Sequence, residues 1–203
     1  MSAPGIRGAL VGLVLALLVT AGQSAQPVEP QPAGPVQITP ALSLAVSGLD
    51  GNLLKASRGL FRSTDRGARW SPISLPAGLH PDRIRQVATT AAAPSSLYAA
   101  GPGAGVVRSD DNGRTWRSIS AGLPSQEVAA LAVHSFRPDT IFVSVPPRGV
   151  FRTEDSGRRW QKMDDGPHAP VVALAHSPLE GSMNTGWLYA ATPRGPYLSM
   201  DCF

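Results

Sequence analysis

Cysteine is all but absent from this chain of 203 residues: Cys202 is the single thiol and lies one residue from the last. No intramolecular disulfide can form, so stability has to come from packing. Lysine is almost missing too, with Lys55 and Lys162 alone among eighteen basic residues. The excess over fourteen acids is a dispersed +4, without the clustered basic patch and interleaved aromatics that nucleic-acid binding requires. The four histidines, His80, His134, His168 and His176, have neither a cysteine partner nor metal-ligand spacing, so no metal site is expected. His134 and His176 do fall at similar points in successive stretches of the chain. There is no nucleophile elbow, no phosphate-cradling glycine loop and no dinucleotide fingerprint, which leaves no cofactor to expect. Long apolar runs are also missing. The longest, Ala9 to Val19, is about half of the roughly 20 residues that a membrane-spanning helix needs.

That run has a different use. It follows a short polar start carrying Arg7, contains no acid, and leads into Thr20, Ala21, Gly22, Ser24 and Ala25, the layout of a secretory signal peptide over residues 1–25. Export to the periplasm or medium of a bacterium is the expectation, with no stable membrane span after cleavage. Loss of Arg7 with the leader lowers the formal charge from +4 to +3. Residues 26–40 hold five prolines, which remove amide donors and favour an extended linker.

What the chain does have is repetition. Ser63-x-Asp65-x-Gly67-x-x-Trp70, Ser109-x-Asp111-x-Gly113-x-x-Trp116 and Thr153-x-Asp155-x-Gly157-x-x-Trp160 share one pattern, and a fourth copy opens with Ser199-x-Asp201 and then ends. Each copy follows a glycine and a short apolar run, such as Gly105-Val106-Val107-Arg108, and two further apolar runs lie ahead of that. The runs span four to six residues between Gly, Pro, Asp and Ser, a strand-and-turn rhythm too short for helices. Three strands before each motif and one beginning at its Trp make four strands in about 45 residues, the content of a propeller blade. The prediction is an all-β propeller with units at 41–81, 82–125, 126–168 and an incomplete 169–203.

Each fixed residue of the motif has a turn-forming reason. The Asp can accept bonds from amides without a strand partner, the Ser or Thr hydroxyl can close the other side, and the Gly can take a positive φ. The Trp buries a large ring between neighbouring sheets. These repeats resemble the Asp boxes, or BNR repeats, of sialidases, of sortilin-type propellers and of the photosystem II stability/assembly factor family. The resemblance covers residues 41–203 and implies a structural role for Asp65, Asp111, Asp155 and Asp201, since in those families the box lies at the blade periphery.

The sialidase branch of that resemblance implies an arginine triad, a Tyr nucleophile with a Glu, an Asp acid and an Arg-Ile/Leu-Pro motif. Gln37-Ile38-Thr39-Pro40 stands where the last would be. Tyr98, Tyr189 and Tyr197 fall on strand positions, and no pair of carboxylates stands out, so catalysis is not expected. Arg62, Arg108 and Arg152 recur immediately before the motif, with Leu198 in the fourth unit. They read either as strand residues paired with nearby acids or as a guanidinium rim for a partner's carboxylates. The functional expectation is a non-enzymatic scaffold for a protein partner, with a sialidase-related glycan-binding or glycan-hydrolysing protein as the alternative. Closure of the ring is expected either through Val36 to Thr39 as the missing strand or through further blades of a longer propeller.

Overall fold

A computed structural model describes residues 43–179 and 186–199. The leader, the linker, the Val36–Thr39 strand, Asp201 and Cys202 lie outside the described residues. Four antiparallel meanders follow one another along the chain. Blade 1 is β1 (Ser43–Val46), β2 (Leu53–Ala56), β3 (Leu60–Ser63) and β4 (Ser71–Pro72); blade 2 is β5 (Gln86–Thr89), β6 (Leu97–Gly101), β7 (Gly105–Ser109) and β8 (Arg117–Ser118). Blade 3 is β9 (Ala130–Val133), β10 (Ile141–Val145), β11 (Gly149–Thr153) and β12 (Gln161–Lys162). Blade 4 has three described strands, β13 (Ala173–Ser177), β14 (Trp187–Thr192) and β15 (Gly195–Ser199). The protein is an all-β, four-blade propeller arrangement, and its one described helix is a 3₁₀ turn at Pro81–Arg83.

The first strands of successive blades pack on one another: β1 on β5, β5 on β9, β9 on β13. Among the described residues, no comparable packing joins β13 to β1. Cross-strand register sorts each blade into two faces. In blade 2, Val87, Ala99 and Val107 stand opposite one another and pack with Leu54, Ala56 and Leu60 of blade 1. The other face, Tyr98, Ala100 and Val106, packs with Leu131, Ile141 and Val143 of blade 3. Blades 2 and 3 are therefore covered on both sides, and every residue of β6, β7, β9 and β10 is buried. That explains why β6 and β9 read as unbroken apolar runs, where a sheet with one wet face would alternate.

The end blades show the opposite. Leu44, at the position of Val87 and Leu131, is 61% exposed where those are 5% exposed. Tyr189, at the position of Leu54, Tyr98 and Phe142, is 39% exposed where those are fully buried.

An antiparallel meander places its turns alternately at two ends. The β1–β2, β5–β6 and β9–β10 loops share one end with the three complete motif turns. The opposite end carries the short β2–β3, β6–β7 and β10–β11 turns and the connections between blades.

Candidate functional site

The motif turns are built alike. In the first, the Ser63 hydroxyl donates to Asp65 Oδ1 at 2.8 Å and accepts the Gly67 amide at 2.7 Å, while Asp65 Oδ1 also accepts the Arg69 amide at 2.8 Å. Ser109 and Asp111 repeat this with Gly113 and Thr115, and Thr153 and Asp155 with Gly157 and Arg159. The glycines adopt φ of +94°, +87° and +83°, a conformation that costs other L residues about 1–2 kcal/mol. The residue before each glycine, Arg66, Asn112 or Ser156, is also left-handed, with φ near +60°. The Thr115 hydroxyl and amide hold Asp111 down at about 2, and the Arg159 amide does the same for Asp155. The Arg69 amide and then the Ser63 hydroxyl lower Asp65. Ser199 is buried at the end of β15.

The second and third of these turns are each finished by the blade before them. The Trp116 indole donates to Ser74 O of blade 1 at 2.9 Å, and the Trp160 indole to Ile119 O of blade 2 at 3.0 Å. The recurrent arginines work across the same junctions. Arg62 Nη2 donates to the Asn112 carbonyl and side chain at 2.8 and 2.6 Å. Arg108 is 8% exposed. It donates to Asp110 on its own blade at 2.6 Å and to Asp139 and Ser156 on the next at 2.8 and 2.6 Å, and Ser156 also donates to Asp139. Hydrogen bonds from Ser156 and then Arg108 hold Asp139 below the usual carboxylate range. Arg152 lies 3.4 Å from Glu154. In Arg62 and Arg108, the guanidinium lies between blades and is engaged there; neither stands free on a rim.

Sequence reasoning did not reach a second group, which surrounds the propeller axis at the motif end. Val46, Thr89, Val133 and His176 occupy one repeat position on the four inner strands, and together they line a cavity of about 440 Å³. Three residues further on, Leu49, Phe136 and Leu179 are exposed apolar side chains, with exposed Ala92 in blade 2. The usable signal was the period itself: an apolar residue three places after the first strand in three of four units.

Between blades 3 and 4 the wall is made by a histidine pair. His134 is buried and its ring lies 4.0 Å from that of His176. Their Nδ1 atoms accept the Phe136 and Ser135 amides, and Thr90 donates to the carbonyls of His134 and Ser135. Among the described residues, no three His, Cys, Asp or Glu side chains converge as a metal site would require. At the opposite end, a cleft of about 370 Å³ lies between the Pro146–Gly149 turn and residues 163–171, with Arg148, Lys162, His168 and Asp164 around it. Among the described residues, Asp164 is the one carboxylate lining that cleft. Glycoside hydrolysis in most families uses two.

Comparison with known proteins places the fold and no more. No family model matches the chain, and no curated protein matches it. Solved propellers do match. The family 74 xyloglucanase from Xanthomonas campestris superposes with a TM-score of 0.61 at 19% identity, over 79% of this chain and 29% of that one. YCF48 bound to D1 peptide gives 0.53 at 20% identity, over 75% and 47%. A chain of the nidogen/laminin complex gives 0.60 at 11% identity, over 78% and 60%. This chain thus spans less than two thirds of each. The set contains a glycan hydrolase and proteins captured with partners, so the fold is compatible with either use. No helix of the described residues is long and apolar enough to cross a membrane.

Proposed function

We propose that the chain is an exported, non-enzymatic Asp-box propeller that acts as a scaffold for a protein partner, held at the motif end of its axis. The observation that carries this reading is the axial cavity lined by Val46, Ala92, Val133 and the exposed Phe136, with exposed Leu49 and Leu179 next in sequence to its lining residues Gly48 and Pro178. Apolar side chains set around a concavity are what an extended segment with one or two large apolar residues would fill. Support also comes from the polar groups of the motif turns and junctions, which are engaged in holding blades together. The leader-like start of the sequence supports a site of action outside the cytoplasm.

The test is selection of displayed peptides against the purified chain, followed by titration of the best binders against Phe136→Ser and Leu179→Ser variants. Loss of an anchor of this kind is expected to weaken binding about tenfold or more. Binders that ignore both substitutions would sink the reading.

A second reading, a sialidase-related glycan-binding or glycan-hydrolysing protein, draws on the cleft of Arg148, Lys162, Asp164 and His168 at the other end. It predicts that Arg148→Ala abolishes retention on immobilised acidic glycans. The scaffold reading predicts no retention to abolish.

A further inference from the structure

At the end away from the motif turns, blade 2 closes a space that blade 3 leaves open. In blade 2 the amides of Gly103 and Gly105 both donate to Gln126 O at 3.0 Å. The Ser120 hydroxyl accepts the Val106 amide at 2.7 Å and donates to the Val106 carbonyl at 3.1 Å. The connection to the next blade is thereby sealed onto the β6–β7 turn.

Blade 3 carries other residues at the same repeat positions. Pro147 stands for Gly103 and has no amide to donate. Asp164 stands for Ser120 and is exposed, and Ser144 stands on β10 where β6 has Ala100. Among the described residues, no backbone hydrogen bond joins the 146–149 turn to residues 164–171. The space between them is the cleft of about 370 Å³. We infer that it binds a small molecule carrying one carboxylate on an apolar body.

The floor selects the apolar body. Val150, Met163 and Val171 are buried there in one cluster, and a sugar ring laid on them would leave hydroxyls unpaired. One polar group reaches the same depth. Ser144 is 2% exposed and lines the cleft, and its hydroxyl bonds no described residue, so it is available to a ligand oxygen.

The mouth selects the head group. Arg148, Lys162 and His168 are exposed around it, and among the described residues none of them meets a carboxylate. The Lys162 stem lies over the turn, 3.4 Å from where a Cβ on Gly149 would stand. A guanidinium and an ammonium at one mouth suit a carboxylate. Asp164 lines the same cleft and opposes a second negative charge, which disfavours phosphate-like dianions. The cleft lies at the end opposite the axial cavity, so its occupant is independent of any partner held there.

The test is an NMR titration of the purified full chain with phenylacetate, phenylacetamide and glucuronate. Phenylacetate is expected to bind with a Kd on the order of 1 mM, and the neutral amide and the hydrated sugar acid each about tenfold more weakly. Arg148→Ala is expected to weaken phenylacetate about tenfold, and Ser144→Ala, which restores the residue of blade 2, about threefold. Arg194→Ala, in the corresponding turn of blade 4, is expected to leave the Kd unchanged. The amide spectra establish that each variant remains folded; if Arg148→Ala does not, Arg148→Gln replaces it. Equal binding of acid and amide would overturn the inference, as would no saturable binding of phenylacetate. Tighter binding of glucuronate would overturn it in favour of the acidic-glycan reading. Loss of phenylacetate in Phe136→Ser with none in Arg148→Ala would overturn it by moving the ligand to the axial cavity.

Discussion

At the level of single residues, the motif turn works because one hydroxyl serves two partners. Ser109 is buried and ties both Asp111 and the Gly113 amide. Ser109→Ala is expected to cost about 1–2 kcal/mol, since it leaves a buried donor unsatisfied, whereas Ser109→Thr keeps the bonds that Thr153 already makes in blade 3; thermal unfolding of the two variants checks this. The three glycines should rank by what lies over them. A Cβ on Gly67 meets nothing closer than 3.6 Å, one on Gly113 meets Ile73 Cγ2 at 2.8 Å, and one on Gly157 meets Ile119 O at 2.2 Å. Alanine should cost roughly 1–2 kcal/mol at Gly67 from φ alone, more at Gly113, and about 3 kcal/mol or more at Gly157, where overpacking adds to strain. Denaturant midpoints would give the order. The roles of Ser, Asp and Gly were legible because they act within five residues of sequence. The left-handed residue before the glycine was not, because Arg66, Asn112 and Ser156 share no side-chain chemistry that announces it.

Among elements, the junction between blades is the unit that matters. Tyr98 is buried, and its hydroxyl donates to Pro138 O of blade 3 at 2.7 Å; burial pushes that phenol up to about 12. Tyr98→Phe is expected to cost about 1 kcal/mol for the lost bond and the orphaned carbonyl. Arg108→Leu removes bonds to both blades but leaves Asp110 and Asp139 half wet. Solvent screens much of that loss, so about 1–2 kcal/mol is expected, read as a drop in melting temperature. Strand order and the four-unit period were readable because turn residues and short apolar runs punctuate the chain. That the recurrent arginine reaches into the next blade was not, since its partners lie 50 and 48 residues away and sequence spacing carries no sign of which way a side chain points.

For the whole molecule, the carboxylates set the response to acid. Asp65, Asp110, Asp111, Asp139 and Asp155 all titrate below their ordinary 3.8 in the folded chain, two of them at about 2. The unfolded chain takes up protons first as pH falls, so their stabilisation is complete above about 4 and is lost between about 4 and 2. Melting temperatures measured across that interval should fall steeply, and Asp111→Asn should flatten the fall. The propeller as a class could be read from its repeats; the open end faces and the axial cavity could not, because both depend on which neighbours are present in space. One feature of the junctions bears on how such a chain comes into being. Trp116, Trp160, Asn112 and Ser156 all take their partner from the blade made earlier. A ribosome that releases the amino end first therefore presents every new blade with a finished template, and assembly has a built-in direction. Removing the first blade should leave its successor without a mould, while removing the last should leave the earlier ones intact.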